Sequence, residues 1–114
     1  MNPSPIDWEQ LDMITDGFAP DFVEIYHEYL AEFPGLLTQL REAVQACDAT
    51  TSARLAHQIK GSSANFGFVG TSRPAANLEQ EAKQDSLTNA ETLIDEAEAG
   101  FHAAVAEVKS RAGV

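Results

Sequence analysis

Residues 55–67 read LAHQIKGSSANFG, and their apolar members recur at the spacing of an α-helix. Residues three and four apart lie next to each other on one face of a helix. Leu55, Ile59, Ser62 and Phe66 therefore share one side, which we expect to face a hydrophobic core. His57 falls on the opposite side. The spacing thus predicts a histidine whose imidazole faces solvent.

The residues expected on the same face as His57 are small, polar or basic. They are Thr50, Ala53, Arg54, Lys60, Gly61 and Ala64. A glycine inside a helix costs about 1 kcal/mol relative to alanine, so Gly61 needs a compensating benefit. Its missing side chain would let a second protein approach the ring of His57 closely. Lys60 would place a cation beside any anion attached to that ring.

Two purely structural explanations stand beside this functional one. A lone surface histidine commonly does nothing but titrate near neutral pH. Gly61, Ser62 and Ser63 favour turns and caps, so a helix could also end there. Taken alone, the histidine and the Gly-Ser-Ser run are each better explained by structure than by function. The combined pattern, however, favours a reactive histidine on a helix.

The charge distribution supports the same interpretation. The chain has 18 acidic and 7 basic residues and a formal net charge of -11. No Asp or Glu lies between Asp48 and Glu79, an interval that contains Arg54, His57 and Lys60. Such a segment suits a group that carries a phosphoryl dianion. The acidic remainder argues against binding to nucleic acid or to anionic membranes, whose phosphates it would repel.

Length and composition indicate the class of protein. The 114 residues, 44% of them hydrophobic, suit a single domain over residues 1–114 with a modest core. Cys47 is the single cysteine, so no disulfide within the chain is expected. No stretch approaches the roughly 18 apolar residues of a membrane span, and Met1–Pro5 does not resemble a signal peptide. We expect a soluble cytoplasmic protein, and the leader that starts at Met1 favours a free-standing one.

The hydrophobic pattern predicts helices and no strands. The expected helices span residues 6–15, 20–47, 50–67, 72–84 and 86–112. Pro34 should kink or briefly break the second helix. Because proline is tolerated in the first turn, Pro74 places the start of the fourth near Thr71 or Ser72. Four long helices joined by short loops predict an all-α fold, an antiparallel up-and-down four-helix bundle with a short additional N-terminal helix.

The run around His57 has the form His-x-x-Lys-Gly-Ser-Ser-x-x-x-Gly, with Leu78-Glu79 downstream. This pattern resembles the signature of histidine-containing phosphotransfer (HPt) domains of two-component phosphorelays. Ile6-Asp7-Trp8 before the first helix and Phe33-Pro34 within the second are also similar to the layout of that family. The polar segment 71–74 departs from the family pattern, which leaves the start and packing of the fourth helix open.

The resemblance implies that His57 accepts a phosphoryl group from the phospho-aspartate of a receiver domain and transfers it to another receiver aspartate. Nε2 would be the attacking atom. The expected partners are response-regulator receiver domains and a hybrid sensor histidine kinase. The receiver would supply the magnesium and the catalytic carboxylates, so we expect no cofactor on this chain. The chain has no room for an ATP-binding domain, and we expect no autokinase activity.

Roles for the other site residues follow from their charge, their size and their place on the helix around His57. Lys60 should stabilise the charge of the phosphoryl group, with Arg54 as a second cation. The residues expected to contact the partner are Gly61, Gln58, Arg54, Ala64, Ala53 and Phe68, with Val69 as an alternative to Phe68. We expect Ser62 and Ser63 to bond to helix carbonyls instead of phosphate.

One other function fits the sequence. A helical interaction module that binds or sequesters receivers, without relaying phosphate, would have the same fold and docking face. We favour the relay because a pure binding surface would not need His57 and Lys60 together. The order Lys60-Gly61-Ser62 is wrong for a nucleotide-binding loop. Since the bundle would bury its four apolar stripes internally, we expect a monomer.

Overall fold

A computed structural model describes residues 4–114, and over that range it contains α-helices and no strands. The helices are α1 (Trp8–Thr15), α2 (Pro20–Gln45), α3 (Ala49–Asn65), α4 (Val69–Lys83) and α5 (Ala90–Ala112). Helices α2 and α4 each pack against both α3 and α5, and α1 packs against α2 and α3. This confirms the predicted all-α bundle with a short N-terminal helix. None of the described helices is long and apolar enough to cross a membrane.

Helix α3, which carries His57, is held at both ends. Asp48 caps its start, because the carboxylate accepts a hydrogen bond of 3.0 Å from the backbone N–H of Thr51. After its end, Gly67 adopts a φ of +73° and accepts a 2.7 Å hydrogen bond from the backbone N–H of Asp7. A side chain on Gly67 would overlap the Asp7 carbonyl oxygen. The last glycine of the motif therefore serves the fold, by joining the α3–α4 loop to the segment before α1.

Helix α4 starts earlier than predicted, at Val69, so that Pro74 lies inside it. Proline has no N–H to bond the carbonyl of Gly70. Gly100 of α5 packs against that carbonyl so closely that a side chain on Gly100 would overlap it. Thr71 is fully buried and donates a 3.3 Å hydrogen bond to the Ala97 carbonyl. Packing against α5, not local preference, therefore determines where α4 begins.

The predicted start of α5 was also wrong. Helix α5 begins at Ala90 and not at residue 86, because Asp85 has a φ of +60° and turns the chain after α4. Leu87 still packs on the core from this loop. Helix α2 continues through Pro34, so the predicted brief break does not occur, while the alternative, a kink, stays a prediction. Pro34 is exposed, and the helix around it is held by the buried Phe33 and Leu37.

The centre of the bundle contains a cluster of aromatic rings. Phe33 of α2 stacks on Phe101 of α5 with ring centroids 3.8 Å apart, and Tyr29 stacks on Phe66 at 5.0 Å. Phe68 lies among them, 5.3 Å from Tyr29, and is fully buried. The prediction that Phe68 contacts a partner was therefore wrong, since its position in the α3–α4 loop points it into the core.

An ion-pair cluster joins α2 to α5 on the outside of the bundle. Arg41 of α2 lies 3.4 Å from Glu91, 3.0 Å from Asp95 and 3.0 Å from Glu98, all on α5. The Arg41 side chain is 29% exposed and its three partners are 42% to 70% exposed. We call this group the Arg41 cluster.

Candidate functional site

His57 lies in the middle of α3 with its side chain 66% exposed. The neighbouring apolar residues Leu55 and Ile59 are buried, as the helical spacing predicts. The helix therefore presents the imidazole to solvent while its other face is fixed in the core. Such a ring is accessible to a second protein.

Glu79 of α4 is the residue that organises the site. Its Oε2 atom lies 2.8 Å from Nδ1 of His57 and 3.0 Å from Nζ of Lys83, and its Oε1 atom lies 2.7 Å from Nζ of Lys60. The Glu79 side chain is only 5% exposed. We call His57, Lys60, Glu79 and Lys83 the Glu79 cluster. It links α3 to α4 directly beneath the imidazole.

The pKa of Glu79 is lowered to about 2. The hydrogen bond from Lys60 is the largest cause, burial opposes it, and hydrogen bonds from Lys83 and His57 lower the pKa further. Glu79 is therefore a carboxylate at any physiological pH. It can accept hydrogen bonds but cannot donate one.

The charge of Glu79 determines which nitrogen of His57 carries the proton. Because the carboxylate only accepts, Nδ1 must donate the 2.8 Å hydrogen bond. In the neutral imidazole the lone pair then lies on Nε2, the nitrogen on the other side of the ring. The arrangement leaves a nucleophilic nitrogen at the exposed edge of α3.

No role for Glu79 was predicted from the sequence, where Leu78-Glu79 is only a pair downstream of the motif. One signal was available, because Glu79 is the acid that ends the acid-free interval and it follows the buried positions Ala75 and Leu78 on α4. A carboxylate at the edge of an apolar stripe requires a partner.

The predicted cations lie around the ring in an unexpected arrangement. Lys60 is beside His57, but its Nζ binds Glu79. Arg54 is exposed one turn before His57 on α3. The second cation on Glu79 is Lys83, which sequence reasoning missed because it lies on a different helix.

The surface beside His57 contains two helical glycines that the fold does not need. A side chain on Gly61 of α3 or on Gly35 of α2 would meet nothing within 4 Å. Gln58 and Ala64 are exposed as expected, but Ala53 is 8% exposed and belongs to the core, so its predicted contact with a partner was wrong. Its position on α3 turns Ala53 towards the core of the bundle.

A shallow cavity of about 280 Å³ lies between α2 and α3 at the same place. It is lined by Glu32, Gly35, Leu36, Gln39 and Gln58. The missing side chain at Gly35 keeps one wall open. The cavity reaches Gln58, the residue after His57 on α3, so a recessed surface lies close to the imidazole.

The serines of the motif stabilise the bundle. Ser62 donates a 3.0 Å hydrogen bond to the carbonyl of Gln58, as predicted. Ser63 is fully buried and its hydroxyl lies 2.7 Å from the hydroxyl of Tyr29 on α2, so it bonds to a side chain and not to a helix carbonyl. Both contacts are structural, and the contact of Ser63 with Tyr29 helps to fix α3 against α2 in the orientation that exposes His57.

Comparison with known proteins agrees with this architecture. A family model described as the Hpt domain matches residues 24–110. No curated protein sequence matches the chain significantly. Among solved structures, the chain is similar to the crystal structure of histidine-containing phosphotransfer protein B (HptB) from Pseudomonas aeruginosa PAO1. The TM-score is 0.87 at 24% sequence identity, covering 99% of each chain. The match to the family model over most of the sequence shows that this chain belongs to the Hpt domain family.

Proposed function

We propose that His57 is the phosphoacceptor through which this chain acts as a phosphorelay intermediate. One observation supports the proposal above all others. Glu79 holds the proton of the ring on Nδ1 and leaves the lone pair of Nε2 facing solvent. A fixed tautomer with an exposed nucleophile is what transfer from a second protein requires.

The transfer step follows from this geometry. The lone pair of Nε2 attacks the phosphorus of a receiver phospho-aspartate, and the bond from phosphorus to the aspartate oxygen breaks. The aspartate leaves as a carboxylate. Nδ1 keeps its proton, so the ring becomes positively charged, and the Glu79 carboxylate offsets that charge. In the second transfer, an aspartate of another receiver attacks the phosphorus, and Nε2 leaves with its lone pair restored.

Charge compensation comes from both partners. Lys60 lies one turn from His57 and can turn from Glu79 to the phosphoryl oxygens, while Arg54 lies one turn before His57 on the same face. The magnesium ion and the catalytic carboxylates belong to the receiver. Phosphoryl transfer depends mainly on positioning and electrostatics, so this division of labour suffices.

The receiver docks on a surface that we call the His57 face. It comprises His57, Gln58, Gly61, Ala64 and the cavity at Gly35. The apolar contribution comes from α2, since Ile25 is 49% exposed and lies two turns before Glu32 of the cavity. It replaces the predicted contribution of the buried Phe68.

Phosphorelay partners, namely receiver domains and kinases, are those of the Hpt family. We propose that this chain acts in the cytoplasm as a monomer between response-regulator receivers and a hybrid sensor histidine kinase, without autokinase activity. A module that only binds receivers would not need the ring of His57 to be held in one tautomer. No observation favours that alternative.

The test is phosphorylation by phosphoramidate, a small donor that requires no knowledge of the partner. Intact mass measures incorporation, and acid lability together with a His57→Gln variant assigns the site. His27 and His102 are exposed histidines on α2 and α5 and serve as internal comparisons. We expect acid-labile phosphate on His57 in preference to both. Equal labelling of all three histidines, or none at His57, would contradict the proposal.

A further inference from the structure

Glu79 holds two lysines, one on each carboxylate oxygen. Lys60 binds Oε1 at 2.7 Å, and Lys83 binds Oε2 at 3.0 Å. Oε2 is also the atom that accepts the hydrogen bond from His57. One positive charge of the two lysines therefore exceeds what the carboxylate needs. This extra positive charge requires an explanation, and Lys83 is not part of the sequence motif around His57.

The two lysines differ in what they can reach. Lys60 lies on α3 one turn after His57, and its side chain is 35% exposed. Lys83 lies on α4 one turn after Glu79 itself and is 65% exposed. A residue one turn away on the same helix is a surface neighbour. Lys60 is thus a neighbour of the reacting ring, whereas Lys83 is a neighbour of the carboxylate.

Transfer of a phosphoryl group creates competition for Lys60. The phosphoryl oxygens on Nε2 attract the nearest cation, which at rest binds Glu79. If Lys60 left, a carboxylate only 5% exposed would lose its strongest partner. Leaving a buried carboxylate without a cation is unfavourable, so Glu79 alone would retain Lys60.

We propose that Lys83 is a positioning residue that keeps Glu79 compensated while Lys60 moves to the phosphoryl group. The proposal rests on the function proposed above for His57. At rest both lysines bind the carboxylate. During transfer Lys60 contacts the phosphoryl oxygens, Lys83 stays on Oε2, and Glu79 continues to hold the proton on Nδ1 of His57.

The proposal predicts that Lys83 acts only through Lys60. Lys83→Gln should slow labelling of His57 by phosphoramidate about three- to fivefold, the size expected when a largely exposed ion pair is removed. Lys60→Gln should slow it by at least as much. In the Lys60→Gln background, Lys83→Gln should add little, because no lysine is left for it to release. Lys83→Arg keeps the charge and should restore most of the rate.

The experiment compares these four variants with the wild type at pH 8, where Glu79 stays ionised. Lys109→Gln removes the same charge from the last turn of α5 and serves as the control. Thermal unfolding is measured for every variant, and nitrogen-15 NMR reports which ring nitrogen of His57 carries the proton. We expect Lys109→Gln to react like the wild type and Lys83→Gln to retain the proton on Nδ1.

Two results would overturn the proposal. In the first, Lys83→Gln reacts at the wild-type rate, even if its unfolding temperature falls. In the second, its effect on the rate multiplies fully with that of Lys60→Gln. The second result would mean that Lys83 acts independently of Lys60. A different failure, with His57 of the wild type unlabelled, would count against the proposed function and not against the role of Lys83 alone.

Discussion

The Glu79 cluster and the Arg41 cluster each place one charged side chain among three partners, and the sign of the central charge is opposite in the two. In one, a single carboxylate binds His57, Lys60 and Lys83; in the other, a single guanidinium binds three carboxylates of α5. Each cluster links two helices. They differ in burial, since Glu79 is 5% exposed and Arg41 is 29% exposed.

The difference in burial distinguishes a functional site from a purely structural contact between helices. The buried carboxylate is screened little by water, so its charge controls the nearby ring of His57. The Arg41 cluster is half in solvent, where ion pairs contribute little to stability and are screened by salt. We infer that two clusters of four side chains each have unequal effects, and that the burial of the central side chain decides which effect is large.

The largest expected effect is that of Glu79→Gln. The amide oxygen can still accept a hydrogen bond from Nδ1, but it cannot offset the positive charge that the ring gains on transfer. We expect the labelling rate of His57 to fall about ten- to hundredfold, because a hydrogen bond to a charged group contributes about 1.5–3 kcal/mol and each 1.4 kcal/mol is a factor of about ten in rate. The free energy of unfolding should fall by about 1–3 kcal/mol as hydrogen bonds to the charged group are lost. Phosphoramidate kinetics and urea unfolding measure the two quantities; an unchanged labelling rate would contradict the role of Glu79.

The next largest effect should come from placing a larger side chain on the surface beside a cluster. Gly61→Leu places a side chain on the His57 face, where nothing within the fold opposes it. Transfer from a phosphorylated receiver should slow about tenfold or more, since a clash at an interface centre weakens docking. Labelling by the small donor phosphoramidate should persist. Gln45→Leu, one turn after Arg41 on α2, is the matched control and should change neither rate. Equal loss with both donors would mean that the substitution damages His57 itself and not docking.

A smaller effect is expected from acid, which should remove the stability that the Glu79 cluster contributes. The pKa of Glu79 is lowered from 4.5 to about 2, so its stabilising contribution is complete above pH 4.5 and disappears as the pH falls towards 2. We expect a loss on the order of 2 kcal/mol over this range, after allowance for the exposed lysine partners. Urea unfolding of the wild type and Glu79→Gln at several pH values isolates the contribution from those of other acids. Parallel curves for the two proteins would show that Glu79 has no such effect.

The smallest effect should come from Arg41→Gln. Removing the central cation breaks three ion pairs, yet the partners are exposed and remain hydrated. We expect the free energy of unfolding to fall by less than about 1 kcal/mol, and the labelling rate of His57 to stay at the wild-type value. A loss comparable to that of Glu79→Gln would show that the two clusters do not differ as their burial predicts.

Much of the fold could be predicted from the sequence because its determinants are local. The three- and four-residue spacing around Leu55 and Ile59 predicted both the helix and the exposure of His57. Gly61 was predicted to leave open space on the same face, and a side chain there would meet nothing. Each of these depends on neighbours within a turn or two, where periodicity is reliable.

The errors concern contacts between helices. Pro74 was expected in a first turn, but close packing of Gly100 on Gly70 starts α4 earlier. Phe68 and Ala53 were expected at the surface and are buried, because the packing of α3 and its following loop turns them inwards. Residue type alone does not show such packing.

By itself, the sequence determined an all-helical chain, an exposed histidine with a lysine one turn away, and an acid-free segment around both. Only the tertiary structure decided that Glu79, which lies 22 residues after His57, would meet its Nδ1 atom. It also decided that Lys60 and Lys83 would share that carboxylate. The physical reason is that spacing along one helix determines which residues share a face, whereas the packing of α3 against α4 determines which faces meet.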